Sequence, residues 1–205
     1  EIGVRLVGSE MCIRDRDGGP SHDTPSAGYL IRKRVDPSAI PASSSGTYKK
    51  RQGVLYRLAE AYLSYAESLY EYSVAMGTYT DNETEILDYI NRVRYRAGIP
   101  QYGKGADQIP VTETQLRDLI RRERRVELNC EAGIRFDDLR RWKEAETALN
   151  GKFYGMNALA KSTERDEYYK RTLYQTRRFI SYWWPIPQDD IDKNTNLRQL
   201  PGWWR

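Results

Sequence analysis

Across residues 54–76, apolar side chains recur at alternating steps of three and four: Leu55, Leu58, Tyr62, Tyr65, Leu69, Tyr72 and Met76. That period predicts a helix with one continuous apolar stripe. Ala59 and Ala66 lie beside the stripe, where they would let a neighbouring helix come close. Residues 83–97 predict a second helix, with Thr80 and Glu83 spaced as a capping box and Gly98 and Pro100 as its stop. Its stripe is Ile86, Leu87, Ile90 and Val93. The two helices are expected to form an antiparallel hairpin. Residues 113–131 predict a third helix, capped by Thr112 and Gln115 and broken at Gly133. A fourth is expected over 135–149, ended by Asn150 and Gly151.

Beyond that point the helical period fades. Residues 151–184 are aromatic, charged and poorly periodic, and read as loop with short helical or strand pieces. Residues 185–204 are rich in turn formers, and Pro187 can open one short helical turn through Ile191. At the other end, residues 27–48 read as a short extended piece and a loop, because Gly28, Pro37, Pro41 and the Ser43–Gly46 run disfavour helix. Residues 1–26 have neither period and do not begin with Met. They read as a non-native or disordered segment that resembles translated adapter sequence, and the domain is expected to occupy 27–205. No apolar stretch suited to a secretion signal or a membrane span is visible.

Composition narrows the classes. Apolar residues at 39% and charged residues at 30% describe a soluble globular chain. Lys and Arg exceed Asp and Glu by only four, and the Arg-rich stretches are interleaved with Glu, as in 121–127. That pattern fits paired structural charges better than a basic stripe for nucleic acid. Two cysteines, Cys12 and Cys130, make neither a disulfide framework nor a zinc site. The lone His22 sits between Ser21 and Asp23, and neighbours in sequence cannot adopt triad geometry. No catalytic residue, metal site or cofactor motif is read from the sequence.

On the third predicted helix, Leu116, Leu119, Ile120, Val126, Cys130 and Ile134 define an apolar face at about 100° per residue. Glu123 and Glu127 fall within it and Glu131 at its edge, while Arg117, Arg121, Arg122, Arg124 and Arg125 point mostly away. Carboxylates on a buried face need partners. Arg92, Arg94 and Arg96 precede them, and Arg135, Arg140 and Arg141 follow. A metal site in a helix bundle would want a Glu-x-x-His, which is absent. Glycoside hydrolysis would want carboxylates flanking a cleft. A charge network fixing helix packing, with Glu123, Glu127, Arg135 and Arg140 as its members, fits best. Glu127→Ala is then expected to destabilise by roughly 3–5 kcal/mol. The pairs Asp137–Asp138 and Asp189–Asp190 sit where helices start and read as complements to the helix dipole.

Four segments, in order, carry a resemblance. They are YRLAEAYLSYAESLY (56–70), INRVRYRAGIP (90–100), LRDLIRRERRVELNCEAGIRFDDLRRWK (116–143) and WWPIPQDDIDKNTNLRQLPGW (183–203). Together the chain resembles the C-terminal part of the SusD/RagB family. It departs from the family pattern at Ala132, Thr195 and Leu200, which fall in turns. Leu55, Leu58, Ala59 and Tyr62 also fit the first helix of a tetratricopeptide repeat.

The resemblance implies an all-α fold of tetratricopeptide-like helical hairpins with irregular, loop-rich segments, here as a partial domain. It implies a non-enzymatic lipoprotein at the outer membrane surface, anchored by a lipid outside this chain. Such a protein captures oligosaccharide or polysaccharide, or another oligomeric nutrient, for a TonB-dependent barrel transporter. The four motifs are structural, so no binding residue carries over with them. From the residues alone, the aromatic loop is the local candidate for stacking on sugar, through Tyr154, Tyr168, Tyr169 and Tyr174 beside Phe153. The alternative is a helical protein-interaction scaffold without glycan binding.

Overall fold

The computed structural model describes Ala27, Lys33 and residues 53–131, 133–157, 160 and 165–203. The expectations for residues 1–26, and nearly all of those for 27–48, lie outside the described residues. The chain divides at Asp137/Asp138 into two compact units, with Ala27 and Lys33 assigned to the second.

The first unit is built on three helices: α1 (Leu58–Met76), α2 (Tyr79–Arg96) and α3 (Glu113–Glu127). Gly77, in the left-handed region at φ 69°, ends α1. Its N–H donates to Val74 O, and that of Thr78 to Ser73 O at 2.8 Å. Two linking residues force an antiparallel hairpin, and ring pairs run along it: Tyr62 and Tyr65 on Tyr89, Tyr70 on Tyr79. The core joins Ala66 and Tyr70 of α1, Tyr79, Ile86 and Ile90 of α2, Leu116 and Ile120 of α3, and Tyr102 from the loop between α2 and α3.

Four expectations are corrected here. The stripe read for α1 is largely the outer face: Leu55 is 95% exposed, and Leu58, Tyr72 and Met76 about 60%. The buried side is Leu63, Ala66, Glu67, Tyr70 and Ser73. Periodicity located a helix but could not choose between its two apolar sides. The side that packs carries small residues, Ala66 and Ser73, which let α2 approach, and glutamates that meet arginines of α3. Second, α2 starts at Tyr79, ahead of the capping box expected at Thr80 and Glu83. The tight turn at Gly77 restarts the helix at once. Asn82 pins the corner through Thr78 O (3.2 Å) and Ser73 Oγ (3.0 Å).

Third, α3 carries the Thr112/Gln115 capping box as expected, but stops at Glu127. Leu128 caps it, and Cys130 turns into the left-handed region at φ 60°. Val126 and Cys130 are therefore exposed, while Leu128 is buried. Fourth, the helix expected over 135–149 is two, α4 (Ile134–Arg141) and α5 (Ala145–Leu149). Lys143 breaks it at φ 60°, and Glu144 N–H folds back to Leu139 O at 2.9 Å.

In the second unit, β1 (Gly151–Gly155) pairs antiparallel with β2 (Thr172–Arg177), and α6 (Arg165–Tyr168) lies in the connection. A side chain at Gly155 would strike Ala27 O at 2.4 Å, and the next N–H, of Met156, donates to that oxygen. The ending is short-range: α7 (Gln188–Lys193) follows Pro187. Gln199 clamps Ile186 through both its N–H and its carbonyl (2.8 and 2.9 Å). Apart from this two-stranded ribbon, the described residues form helices and loops. None of the helices is long and apolar enough to cross a membrane.

Candidate functional site

Two groups of residues bear on function, one in each unit. In the first unit, α3 presents carboxylates to arginines from three directions. Glu123 forms an ion pair with Arg94 of α2, both side chains under 10% exposed. Tyr102 O–H donates to the same carboxylate at 3.0 Å. Arg94 also donates to Pro100 O at 2.7 Å, and its guanidinium lies 3.9 Å from the centre of the Tyr102 ring. Burial, then the charge of Glu123, push the Tyr102 hydroxyl pKa upward.

One turn on, Glu127 receives Arg57 and Arg96, the latter at 2.5 Å. Arg57 bridges onward to Glu131 (2.8 and 3.0 Å) and donates to Glu127 O at 2.6 Å. The hydrogen bond to Glu131, above all, raises the pKa of Arg57 beyond the usual guanidinium value. On the α1 side, Arg124 is buried against Glu67 (3.5 Å) and Ser64 (2.9 Å). Arg117 grips Glu71 with two parallel bonds of 2.7 and 2.8 Å.

The arginines of α3 were expected to point mostly away, and Arg124 is the buried exception. Arg124 is 5% exposed, because the packed face centres on Leu116, Ile120, Glu123 and Leu128. Arg92 pairs with Asp88 at the surface. Arg135 is half-buried in the first turn of α4. Arg140 donates to the carbonyls of Ser181 (3.3 Å) and Tyr182, and its guanidinium lies 4.6 Å from the Trp184 ring centre. Asp138, buried, pairs with Arg141 at 2.9 Å, while Asp189 and Asp190 sit in the first turn of α7. Sequence reasoning missed Arg57, Tyr102 and the Glu67–Arg124 pair. Arg57 lies in extended chain just before α1, where no period could mark it. Among the described residues, no cluster of His, Cys, Asp and Glu could hold a metal ion.

In the second unit Phe153, Tyr154 and Tyr174 lie on the ribbon, and Tyr168 and Tyr169 in the connection between its strands. Phe153 pairs with Gln175 and Tyr154 with Leu173, which leaves Tyr174 as the extra residue of a bulge. Bulges turn a side chain out of the regular alternation. Tyr154, Tyr169 and Tyr174 are each about 40% exposed. Arg171 lies 4.1 Å from the Tyr154 ring centre, and Arg177 5.1 Å from that of Phe153. Tyr168 differs from the other three. It is 3% exposed, meets Tyr169 edge-on at 5.4 Å, and its carbonyl accepts Asn157 N–H. It supports the neighbouring ring and offers no face of its own.

A family model described as the SusD family matches residues 11–203. The chain belongs to the SusD family. Among solved structures it is similar to BT4246 and its selenomethionine form. Each is 33% identical with a TM-score of 0.68, over 88% of this chain and about 30% of the other. It is also similar to a SusD-like protein (BF3747) from Bacteroides fragilis NCTC 9343, at 28% identity and a TM-score of 0.53. That match covers 71% of this chain and 25% of the other. The chain thus spans under a third of the length of these structures. No curated protein matches it.

Proposed function

We propose that the protein carrying this chain captures glycans or other oligomeric nutrients at the outer cell surface and delivers them to a TonB-dependent barrel transporter, without catalysis. Membership of the SusD family over residues 11–203 is the observation that carries this reading. The helical unit supplies a frame, since Glu67, Glu71, Glu123 and Glu127 are taken up by guanidinium groups that tie α1, α2 and α3 together. The ribbon supplies exposed rings with arginines beside them. Rings of this kind stack on the apolar faces of sugars, and arginine reaches hydroxyls at the rim. The contacting residues proposed are Tyr154, Tyr169 and Tyr174, with Tyr168 supporting Tyr169. Glu123 and Glu127 are proposed as members of the structural charge network, with Arg135 and Arg140 serving packing around α4. Attachment to the membrane would be through a lipid.

Native affinity electrophoresis against soluble polysaccharides tests the proposal. Retardation by one of them is expected, and replacing Tyr154, Tyr169 and Tyr174 with Ala should reverse it. Free migration through every polysaccharide would remove glycan capture, and would leave uptake of another oligomer or a scaffold role.

A further inference from the structure

The loop between α2 and α3 folds back on α2 and borders an open cleft of about 390 Å³, within the size range of small-molecule sites. Its walls are fixed. Asn91 of α2 clamps the backbone of Tyr102 with both amide atoms, each at 2.8 Å. The loop is closed by Ile109 N–H to Gln101 O (2.8 Å) and Gly103 N–H to Ile109 O (3.0 Å). A side chain at Gly103 would collide with Gln108, so glycine there keeps the Gln108 amide in place. Leu87 and Val111 form an apolar floor continuous with the core.

Around that floor, hydrogen-bonding capacity is left over. The Gln101 side-chain amide and the Thr84 hydroxyl have no partner among the described residues. Gln108 uses its oxygen on Gly105 N–H and leaves its NH₂ unspent. The charges at the rim are paired, Glu83 with Lys104 at 2.7 Å and Asp88 with Arg92 at 2.8 Å. A cation or anion would have to compete with those pairs. A neutral ligand with several hydroxyls and one apolar face would not.

We propose that this cleft binds a single neutral sugar ring, as a subsite separate from the aromatic ribbon. The proposal rests on the glycan-capture reading and assigns it a second point of contact. The experiment is ¹⁵N NMR of the 205-residue chain, following the side-chain amides of Gln101 and Gln108 while glucose, galactose, mannose and N-acetylglucosamine are added in turn. At least one sugar should shift both amides saturably. Thr84→Trp, which fills the cleft from an exposed helix position, should abolish the shift. Gln101→Ala should weaken it about fivefold, the weight of one hydrogen bond. Backbone amide spectra of both variants report that the fold is kept.

Silence from all four sugars overturns the subsite, as does a shift that persists unchanged in Thr84→Trp. Neither result touches glycan capture if polysaccharide retardation stands. Conversely, a saturable shift alongside free migration through every polysaccharide keeps the subsite and removes capture.

Discussion

The two units of this chain organise the same residue types in opposite ways. In the first, Arg94 with Glu123 and Arg124 with Glu67 are buried and paired, and tyrosines such as Tyr70, Tyr79 and Tyr102 sit inside the core. In the second, arginines stand over partly exposed rings, as Arg171 over Tyr154 and Arg177 over Phe153. Burial makes the difference. A charge removed from water has to find its opposite, and so fixes one helix against the next. A charge beside an exposed ring, such as Arg171 on Tyr154, can also meet a ligand. The first arrangement yields a frame and the second a surface.

The largest effect is expected where the frame is driest. Glu123→Ala leaves Arg94 buried without its carboxylate and removes the acceptor of the Tyr102 hydroxyl, so it should destabilise by about 3–5 kcal/mol in urea melts. Glu127→Ala should now cost less than the sequence suggested, about 1–2 kcal/mol. Its partners Arg57 and Arg96 are 22% and 57% exposed and can turn to water. Equal losses at the two positions would break the distinction between dry and wet pairs.

Next in size is the outer side of α1. Leu58, Tyr65, Tyr72 and Met76 are exposed on one side of the helix, with the Tyr65 hydroxyl engaged by Glu85 of α2 at 2.8 Å. Contiguous apolar surface of this kind drives association. The 205-residue chain is expected to self-associate on size-exclusion chromatography, and the double variant Leu58→Lys, Tyr72→Lys to elute as a monomer. A monomeric parent chain would show that this side is harmless in water.

Alkaline pH tests the buried tyrosines of the frame. Burial, then the charge of Glu83, raise the Tyr79 hydroxyl from 10.0 to about 12. Between those values the unfolded chain has lost the proton that the folded chain keeps. Stability is therefore full below pH 10 and falls as pH climbs towards 12. Tyr70 and Tyr102 shift upward as well, with burial the first cause of each. Tyr79→Phe should flatten the decline seen by circular dichroism. An unchanged slope would place the alkaline loss elsewhere.

How much of this was legible follows the same division. The α2 stripe, the Thr112/Gln115 cap and the stop at Gly98 and Pro100 could be read because each is a local rule, satisfied within a few residues. The packed side of α1 could not, since Leu58–Tyr65–Tyr72 and Leu63–Tyr70 are both apolar rows and only the neighbouring helices choose between them. The breaks at Cys130 and Lys143 were invisible because neither residue type marks a left-handed turn. Glu123 and Glu127 stood out as charges on an apolar face. Their partner Arg57 did not, being 70 residues away from Glu127 in sequence. The ribbon was legible only as short strand pieces within a loop, without bounds or pairing, because its strands are largely exposed and lack the alternation that burial imposes.

The smallest effect on stability is expected at the ribbon, and it sharpens the comparison most. Tyr154, Tyr169 and Tyr174 are each partly in water, and exposed positions change stability by about 0.5 kcal/mol or less when substituted. The cation–π contact of Arg171 on Tyr154 adds about 0.5–1 kcal/mol. The triple alanine variant should therefore melt close to the parent chain while losing its retardation by polysaccharide. Tyr168→Ala alone should do the reverse. Its ring is buried, so removing it opens a cavity and should cost about 3 kcal/mol or more, with any loss of binding following the loss of structure. If the triple variant unfolds as readily as Tyr168→Ala, the exposed rings are holding the ribbon together, and the second unit is a frame as well.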